Sequence, residues 1–420
     1  MEITVPQNGF KINDITHQIW DSESIGKDDL IVEVFETENY FEDLKKYWQD
    51  LTDRADTRIY MSFEWMWSWW QHFGKNKDRS LFIISLWDGT KLVGLAPFYK
   101  GRSTFGKLTL ETRMQIIGSG GSKNEKLGYL DDYCISGSLD IIVDPSYVET
   151  VAGRLADILN FSFTGADIIT FHQVNDESFI RKYLFPKLKM NFENIKIEQT
   201  DICPYNDMNR YEYQEGNINV QKSTGKAYLS RVDEAPGLDQ DYEIKDVSHN
   251  WEIIEEEIDN FIEIRQRSQW KQRRLSNIFF DDRTKSFFID FIKYAFENRW
   301  LWFKRAKEKN GIAVSCMILR YHNCYYDLFS NVSELSSLSK SHPAIGLFID
   351  LLKDGIDNGI YRVELLGKEG YNEGFVSGHF KNGKLTLPLK KREFNIPFLL
   401  NRLMAVIYKY YYRERRLLGM

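Results

Sequence analysis

The chain reads as a mixed α/β (α+β) protein made of two successive units, each a mixed central sheet flanked by helices. Three observations lead there. Apolar runs with strand character alternate with helical stretches, and both halves show helices, then a meander, then a helix and a strand. Asp88-Gly89 and Asn310-Gly311 each sit between two apolar runs, the turn chemistry of a tight hairpin. With 420 residues the chain is long enough for two or three domains and a sizeable core. The halves share no repeat at the level of identity.

In the first half Leu30–Phe35 is an apolar run and Glu38–Leu51 an amphipathic helix. Ser62-Phe-Glu-Trp-Met-Trp-Ser-Trp-Trp-Gln-His-Phe-Gly74 follows, with four of the 11 tryptophans. On a helix Trp65 and Trp69 share one face and Trp67 and Trp70 another. Core packing and stacking on a sugar ring are both open for them. Leu81–Trp87 and Lys91–Tyr99 form the hairpin about Asp88-Gly89, and the glycine-rich Gly118–Ser122 precedes Tyr129, Asp131 and Asp132. Pro145–Phe163 reads as a helix, Ala166–His172 as a strand, Asp176–Lys189 as a helix and Asn191–Gln199 as a strand. Ile202–Tyr213 is polar and irregular.

Residues 1–230 make the first unit in this reading, 231–249 a linker containing Pro236-Gly237, 250–392 the second unit and 393–420 a basic helix. The second unit opens on an acidic helix, Trp251–Trp270, whose Glu252, Glu255, Glu256, Glu257 and Asp259 read as a solvated face. Asp281–Asn298 is a further helix, and Leu301–Lys307 and Ile312–Arg320 are strands. Cys324–Phe329 is the next strand. A polar loop, Asn331 to His342, leads into a helix from Pro343 to Asn358 and a strand, Tyr361–Leu365. Unpaired N–H groups at that helix start, with the positive end of the dipole behind them and Lys340 beside them, suit a phosphate-bearing ligand. Pro343 fits the first turn, where its missing N–H costs nothing.

A net charge of −6 argues against nucleic acid as the main partner. The four cysteines lack zinc spacing and the seven histidines form no ligand pair, so no metal is expected. No apolar run reaches the roughly 18 residues of a membrane span, and no signal-peptide core is evident. A cytoplasmic protein is the expectation. The C-terminal Ile396–Arg416 reads as an apolar helix ending in a basic cluster, either docked on its domain or touching a membrane surface.

From about Tyr60 to Phe375 these landmarks, in this order, resemble the GNAT superfamily of N-acetyltransferases. Within it the chain looks most like the cellulose-biosynthesis-type acetyltransferases, whose architecture resembles the Fem-type peptidoglycan aminoacyl transferases. The tryptophan-rich Ser62–Gly74 is similar to a family helix. Lys340-Ser-His-Pro-Ala-Ile-Gly346 is similar to the family's loop before the cofactor helix. Glu364-Leu-Leu-Gly-Lys-Glu-Gly-Tyr-Asn372 keeps an acid, the Gly, the Glu and the Tyr of the family's next strand end. It departs at Lys368, where the family has Asp, and at Asn372, where it has Lys.

The resemblance implies a tandem GNAT-like fold and an acyl-CoA, most simply acetyl-CoA, as co-substrate. The implied cradle is Ser339, Lys340, Ser341, His342, Ala344, Ile345 and Gly346. Backbone at Ala313, Val314 and Ser315 would polarise the thioester carbonyl as Val314–Leu319 and Cys324–Phe329 part. Glu364 and Glu369 are the implied proton acceptors and Tyr371 the donor to the leaving thiolate. Tyr129, Asp131, Asp132 and Trp270 would line the acceptor cleft. Each has a structural alternative: strand-end or turn bonding for the acids and Tyr371, a cap neighbour for His342, a surface charge for Lys340. The expected activity is acyl transfer to a sugar, sugar nucleotide or small amine. A Fem-like aminoacyl transferase and a catalytically silent binding module stay open beside it.

Overall fold

The computed structural model describes residues 30–76, 78–105, 108–120, 135–160, 164–192, 195–214, 217–220, 242–259, 282–308, 313–330, 343–365 and 376–389. The chain divides into two compact units, Met1–Glu198 with Gly383–Met420, and Gln199–Asn382.

The first unit runs β1 (Ile31–Phe35), α1 (Glu38–Asp43), α2 (Lys45–Ala55), α3 (Phe63–Trp69), β2 (Arg79–Asp88), β3 (Lys91–Phe105) and β4 (Leu108–Ile116). It continues with β5 (Ile142–Val143), α4 (Val148–Asn160), β6 (Ile168–Asn175) and α5 (Phe185–Asn191). Strands β1 to β4 pair antiparallel in sequence order, and β6 lies parallel to β4. The expected hairpin is present, in register from Leu81↔Tyr99 to Asp88↔Lys91, with Gly89 at φ +58 in the turn. Short β5 pairs with β3 at Leu95↔Ile142 and Gly94↔Val143, so it continues the lane and direction of β4.

The tryptophans are core. Ser62 caps α3, its hydroxyl accepting from the Trp65 amide at 3.2 Å. Trp65, Trp69 and Trp70 are buried, while half-buried Trp67 stacks on Phe63 and meets Phe41 edge to face. The indole N–H groups tie neighbouring pieces together: Trp48 to the Met61 carbonyl at 2.8 Å and Trp65 to the Ser136 hydroxyl at 2.9 Å. Strand β4 carries Glu111 and Gln115 on the face alternate to Met114 and Ile116, and both are buried with partners: Arg113 at 2.6 Å for Glu111, and Tyr99 and His172 for Gln115.

The second unit runs β7 (Lys196–Asp207), β8 (Tyr211–Gln214), β9 (Asn217–Val220), β10 (Tyr242–Asp246), α6 (251–259), α7 (Asp282–Glu297), β11 (Leu301–Glu308), β12 (Ala313–Tyr321) and β13 (Cys324–Ser330). Then come α8 (Pro343–Asp357), β14 (Arg362–Leu365) and β15 (Gly378–Pro388). The chain passes between the units within β7 and returns within β15. The sheet order is β7-β14-β13-β12-β11-β10. All neighbours are antiparallel except β13 and β14, which the α8 crossover joins as a parallel pair.

Helix α8 buries Leu347, Phe348, Leu351 and Leu352 on Trp302, Cys316, Ile318, Tyr325, Val363 and Leu365 of the sheet. Its flank carries Asp350, Asp354 and Asn358 one turn apart. Lys304 meets Asp350 at 2.6 Å, the Tyr325 hydroxyl donates to Asp354, and Arg320 donates to Asn358 at 2.7 Å. Burial and the Asp354 carboxylate push the Tyr325 phenol well above its usual range. The helix stops on Gly359 at φ +66: the Ile360 amide reaches back to Gly355 at 2.8 Å and the Gly359 amide to Ile356 at 3.2 Å.

Two sequence expectations change. Ile202–Tyr213 is not irregular: it holds the end of β7, a short 3-10 turn (Met208–Arg210) and the start of β8. Its polar residues hid the strand, since buried Asn206 is satisfied by the Tyr211 hydroxyl at 2.9 Å instead of by apolar packing. Within 231–249, Tyr242–Asp246 is a strand paired with β11, an edge position that tolerates a polar sequence.

Gly359→Ala should cost about 1–2 kcal/mol, because a Cβ disfavours the left-handed backbone; an unchanged urea midpoint would contradict this helix stop. Asp140 gives a pH prediction. Burial pushes its carboxyl up to about 6, against amide bonds from Ile180, Phe179 and Ile141 and the charge of Arg58. The folded form holds a proton that the unfolded chain releases near 3.8, so this contribution is full below that pH and lost as pH rises through about 6. The stability of Asp140→Asn relative to wild type should therefore rise between pH 4 and 7. A pH-independent difference would contradict the assignment.

Candidate active site

The parallel pairing of β13 with β14 runs from Cys324↔Arg362 to Asp327↔Leu365. Strand β13 is described to Ser330 and β14 to Leu365. The carboxyl ends of two parallel strands, with the crossover helix following one of them, form the usual ligand-binding edge of an α/β sheet. Among the described residues the parting expected between β12 and β13 is not found. Those two pair from Tyr321↔Cys324 to Cys316↔Ser330, with a bulge between Met317 and Ile318 that adds one residue to β13.

Glu364 occupies the middle of β14, in register with Tyr326 on one side and Tyr205 on the other. Its neighbours Val363 and Leu365 lie in the core under α8, so alternation turns Glu364 to the opposite face, 9% exposed. Tyr205 packs on Phe380 as a tilted pair at 4.6 Å, with the Arg362 guanidinium 4.7 Å from both rings. Gly378 permits this, for a Cβ there would lie 2.3 Å from the Tyr205 hydroxyl oxygen.

Asp327, at the last described pair of β13 with β14, was not singled out from the sequence. It is 4% exposed and lies with Tyr325 on the α8 side, two residues along the same strand. Burial, reinforced by the Asp327 charge, raises the Cys316 thiol well above its usual range. Cys316 is accordingly a protonated, inert thiol at neutral pH. The available signal was an acid inside the apolar run Cys324–Phe329.

On the other face, α6 contributes Glu257, which is not solvated as expected: it is 8% exposed, while Glu252, Glu255, Glu256 and Asp259 are exposed. Arg305 of β11 meets one Glu257 oxygen at 2.9 Å, and the Ser315 hydroxyl donates to the other at 3.2 Å. Ala313, Val314 and Ser315 pair with Lys307, Ala306 and Arg305, and the described pairing with β13 reaches Cys316↔Ser330. Of the implied cradle, Ala344, Ile345 and Gly346 lie in the first turn of α8. Ser339, Lys340, Ser341, His342, Glu369, Tyr371, Tyr129, Asp131, Asp132 and Trp270 lie outside the described residues. The structure thus brings Glu364, Ser315 and the start of α8 into one unit, and adds Asp327, Glu257 and Arg305. Among the described residues no group of three or more His, Cys, Asp or Glu is placed to hold a metal, and no helix is long and apolar enough to cross a membrane.

Residues 243–380 match the acetyltransferase (GNAT) domain family. The match lies within the second unit and supports a transferase. No curated protein matches the chain. Among solved structures, FemX is similar over 88% of this chain and 99% of its own, at 11% identity and a TM-score of 0.51. A conserved protein of unknown function from Bacteroides thetaiotaomicron covers 82% and 97% at 11% identity and 0.47. A tandem GNAT protein from the clavulanic acid biosynthesis pathway covers 86% and 100% at 10% identity and 0.41. At such identities the FemX likeness is one of fold.

The Glu257–Arg305 contact should be coupled. In a double-mutant cycle of Glu257→Gln and Arg305→Ala, about 0.5–3 kcal/mol of interaction energy is expected in urea unfolding. Additive effects would show that the pair carries no net interaction.

Proposed function

We propose that this protein transfers an acyl group, most simply acetyl, from acyl-CoA to an amine or hydroxyl of a sugar, sugar nucleotide or small amine. The observation that supports it best is the parallel β13–α8–β14 unit inside the segment that matches the acetyltransferase domain. These residues suit such a ligand. The β14-side backbone of 328–330 lies beyond the last described pair with β14 and can take up amide groups as an added strand does. The first turn of α8 offers N–H groups and a dipole to a diphosphate, with Lys340 and Gly346 as its neighbours in sequence. Bound there, acyl-CoA supplies an activated thioester.

The chain's own part is to position and to move protons. Glu364 is our candidate for taking the acceptor's proton, with Glu369 as a second carboxylate and Tyr371 as donor to the leaving thiolate. Backbone N–H groups near the strand ends would stabilise the developing oxyanion, a role typically worth about 3 kcal/mol for one donor. Cys316 is too strongly protonated for a covalent route, which favours direct transfer between two bound substrates. Tyr129, Asp131, Asp132 and Trp270 remain our candidates for the acceptor side. A role in envelope polysaccharide assembly, on the cytoplasmic side with the C-terminal basic helix at the membrane surface, fits the family resemblance.

The FemX likeness favours a second reading, aminoacyl transfer from charged tRNA, because that fold is shared over nearly the whole chain. Thermal melting separates the two. Acetyl-CoA at a hundredfold excess over its Kd should stabilise the protein by about 2.7 kcal/mol, a rise of several degrees. No shift with any CoA, together with a shift on adding aminoacyl-tRNA, would replace the first reading with the second. Glu364→Gln should cut turnover by about 10²–10⁴-fold with little change in CoA affinity; unaltered turnover would remove Glu364 from proton transfer.

A further inference from the structure

On the face of the sheet away from α8, strand β14 carries two residues of opposite charge. Val363 and Leu365 lie in the core under α8, so Arg362 and Glu364 share the other face. They are two residues apart, roughly 7 Å along the strand. Glu364 is buried. Arg362 is half-buried, and so is Tyr205, which stands in register with Glu364 on the neighbouring strand.

The Arg362 guanidinium is mounted on rings. It lies 4.7 Å from Tyr205 and from Phe380, and 5.3 Å from Tyr361. The mount is itself fixed. The Tyr205 carbonyl accepts from the Ser377 amide at 3.0 Å and from its hydroxyl at 3.3 Å. The Ser377 hydroxyl oxygen in turn accepts from the Asp207 amide at 2.6 Å, and the missing Cβ of Gly378 leaves room for the Tyr205 phenol.

Aromatic rings take up the flat faces of a guanidinium and leave its five N–H donors in the plane, at the edge. Donors held in one orientation lose little freedom on meeting an anion, and their bonds to carboxylate or phosphate are among the strong ones. Glu364 presents the opposite charge beside them, which suits an ammonium. The pair is therefore complementary to a molecule with an amine at one point and an anion a few ångströms away.

We propose that the acceptor is an amine that also bears a phosphate or carboxylate, with Glu364 meeting the amine and Arg362 the anion. This rests on the acyl-CoA reading above and narrows its acceptor to one class. The transfer is the one already described: the N–C bond forms at the thioester carbonyl, the C–S bond breaks, Glu364 takes the amine proton and the thiolate leaves. Arg362 takes no part in these bond changes and serves binding alone.

The test is thiol release from acetyl-CoA by the full chain with two matched pairs of acceptors. One pair is glucosamine 6-phosphate and glucosamine; the other is γ-aminobutyrate and butylamine. The anion-bearing member of one pair should be favoured at least about tenfold in kcat/KM, and which pair it is separates phosphate from carboxylate. Arg362→Gln should reduce that preference to near one, through a higher KM for the anion-bearing acceptor and not through kcat. Arg362→Lys keeps the charge without the fork and should fall between; it carries the test alone if thermal melting shows Arg362→Gln unfolded. No preference in either pair, or one that survives the substitution, would overturn the inference and leave the acyl-CoA reading intact. So would the absence of release with all four acceptors in a protein that acetyl-CoA stabilises. No stabilisation by any CoA would instead remove that reading and this one with it.

Discussion

The organisation of the second unit depends on one parallel pair: β13 and β14 run side by side from Cys324↔Arg362 to Asp327↔Leu365, in a sheet whose other neighbours are antiparallel. Parallel strands cannot be joined by a tight turn, so a crossover is obligatory, and α8 is that crossover. Its start follows β13 in the chain and so belongs to the carboxyl end of the pair. Strand end and helix start are brought to one end of the sheet by this one constraint. The apolar stripe of α8 holds the helix down, and the Asp350, Asp354 and Asn358 contacts fix its azimuth on the sheet. The stop at Gly359 sets where β14 can begin.

The same frame explains why acids occupy both faces. Asp327 lies on the α8 side and Glu364 on the other, because adjacent strands of a pleated sheet present alternating residues to each face. The face away from α8 carries Glu257, Arg305 and Ser315 in mutual contact. We therefore propose the Glu364 side for acceptor chemistry, while the buried Asp327–Cys316 neighbourhood fits a structural role.

Much of this was legible in the residues. Strands β11 to β13, helix α8 and strand β14 announce themselves by apolar runs, Asn310-Gly311 and Pro343, and the β2–β3 hairpin by Asp88-Gly89. Harder to read were segments whose burial is achieved through polar partners. Asn206, Gln115 and Glu257 look like surface residues until Tyr211, Tyr99 with His172, and Arg305 with Ser315 are found opposite them. Pairing partners were the other gap. Nothing local in Val314–Phe329 says that β13 takes β12 on one side and a parallel β14 on the other, since that depends on a strand beyond the crossover helix. The candidate site was visible as a helix start and an acidic strand end, but its second face was not.

Hydrogen–deuterium exchange with and without acetyl-CoA tests the central claim most directly. Slowed exchange is predicted at the end of β13, 328–330, and in the first turn of α8, 343–347. Protection confined to other segments, with the end of β13 exchanging as fast as in the free protein, would contradict the claim that the carboxyl end of β13 is where the ligand is held.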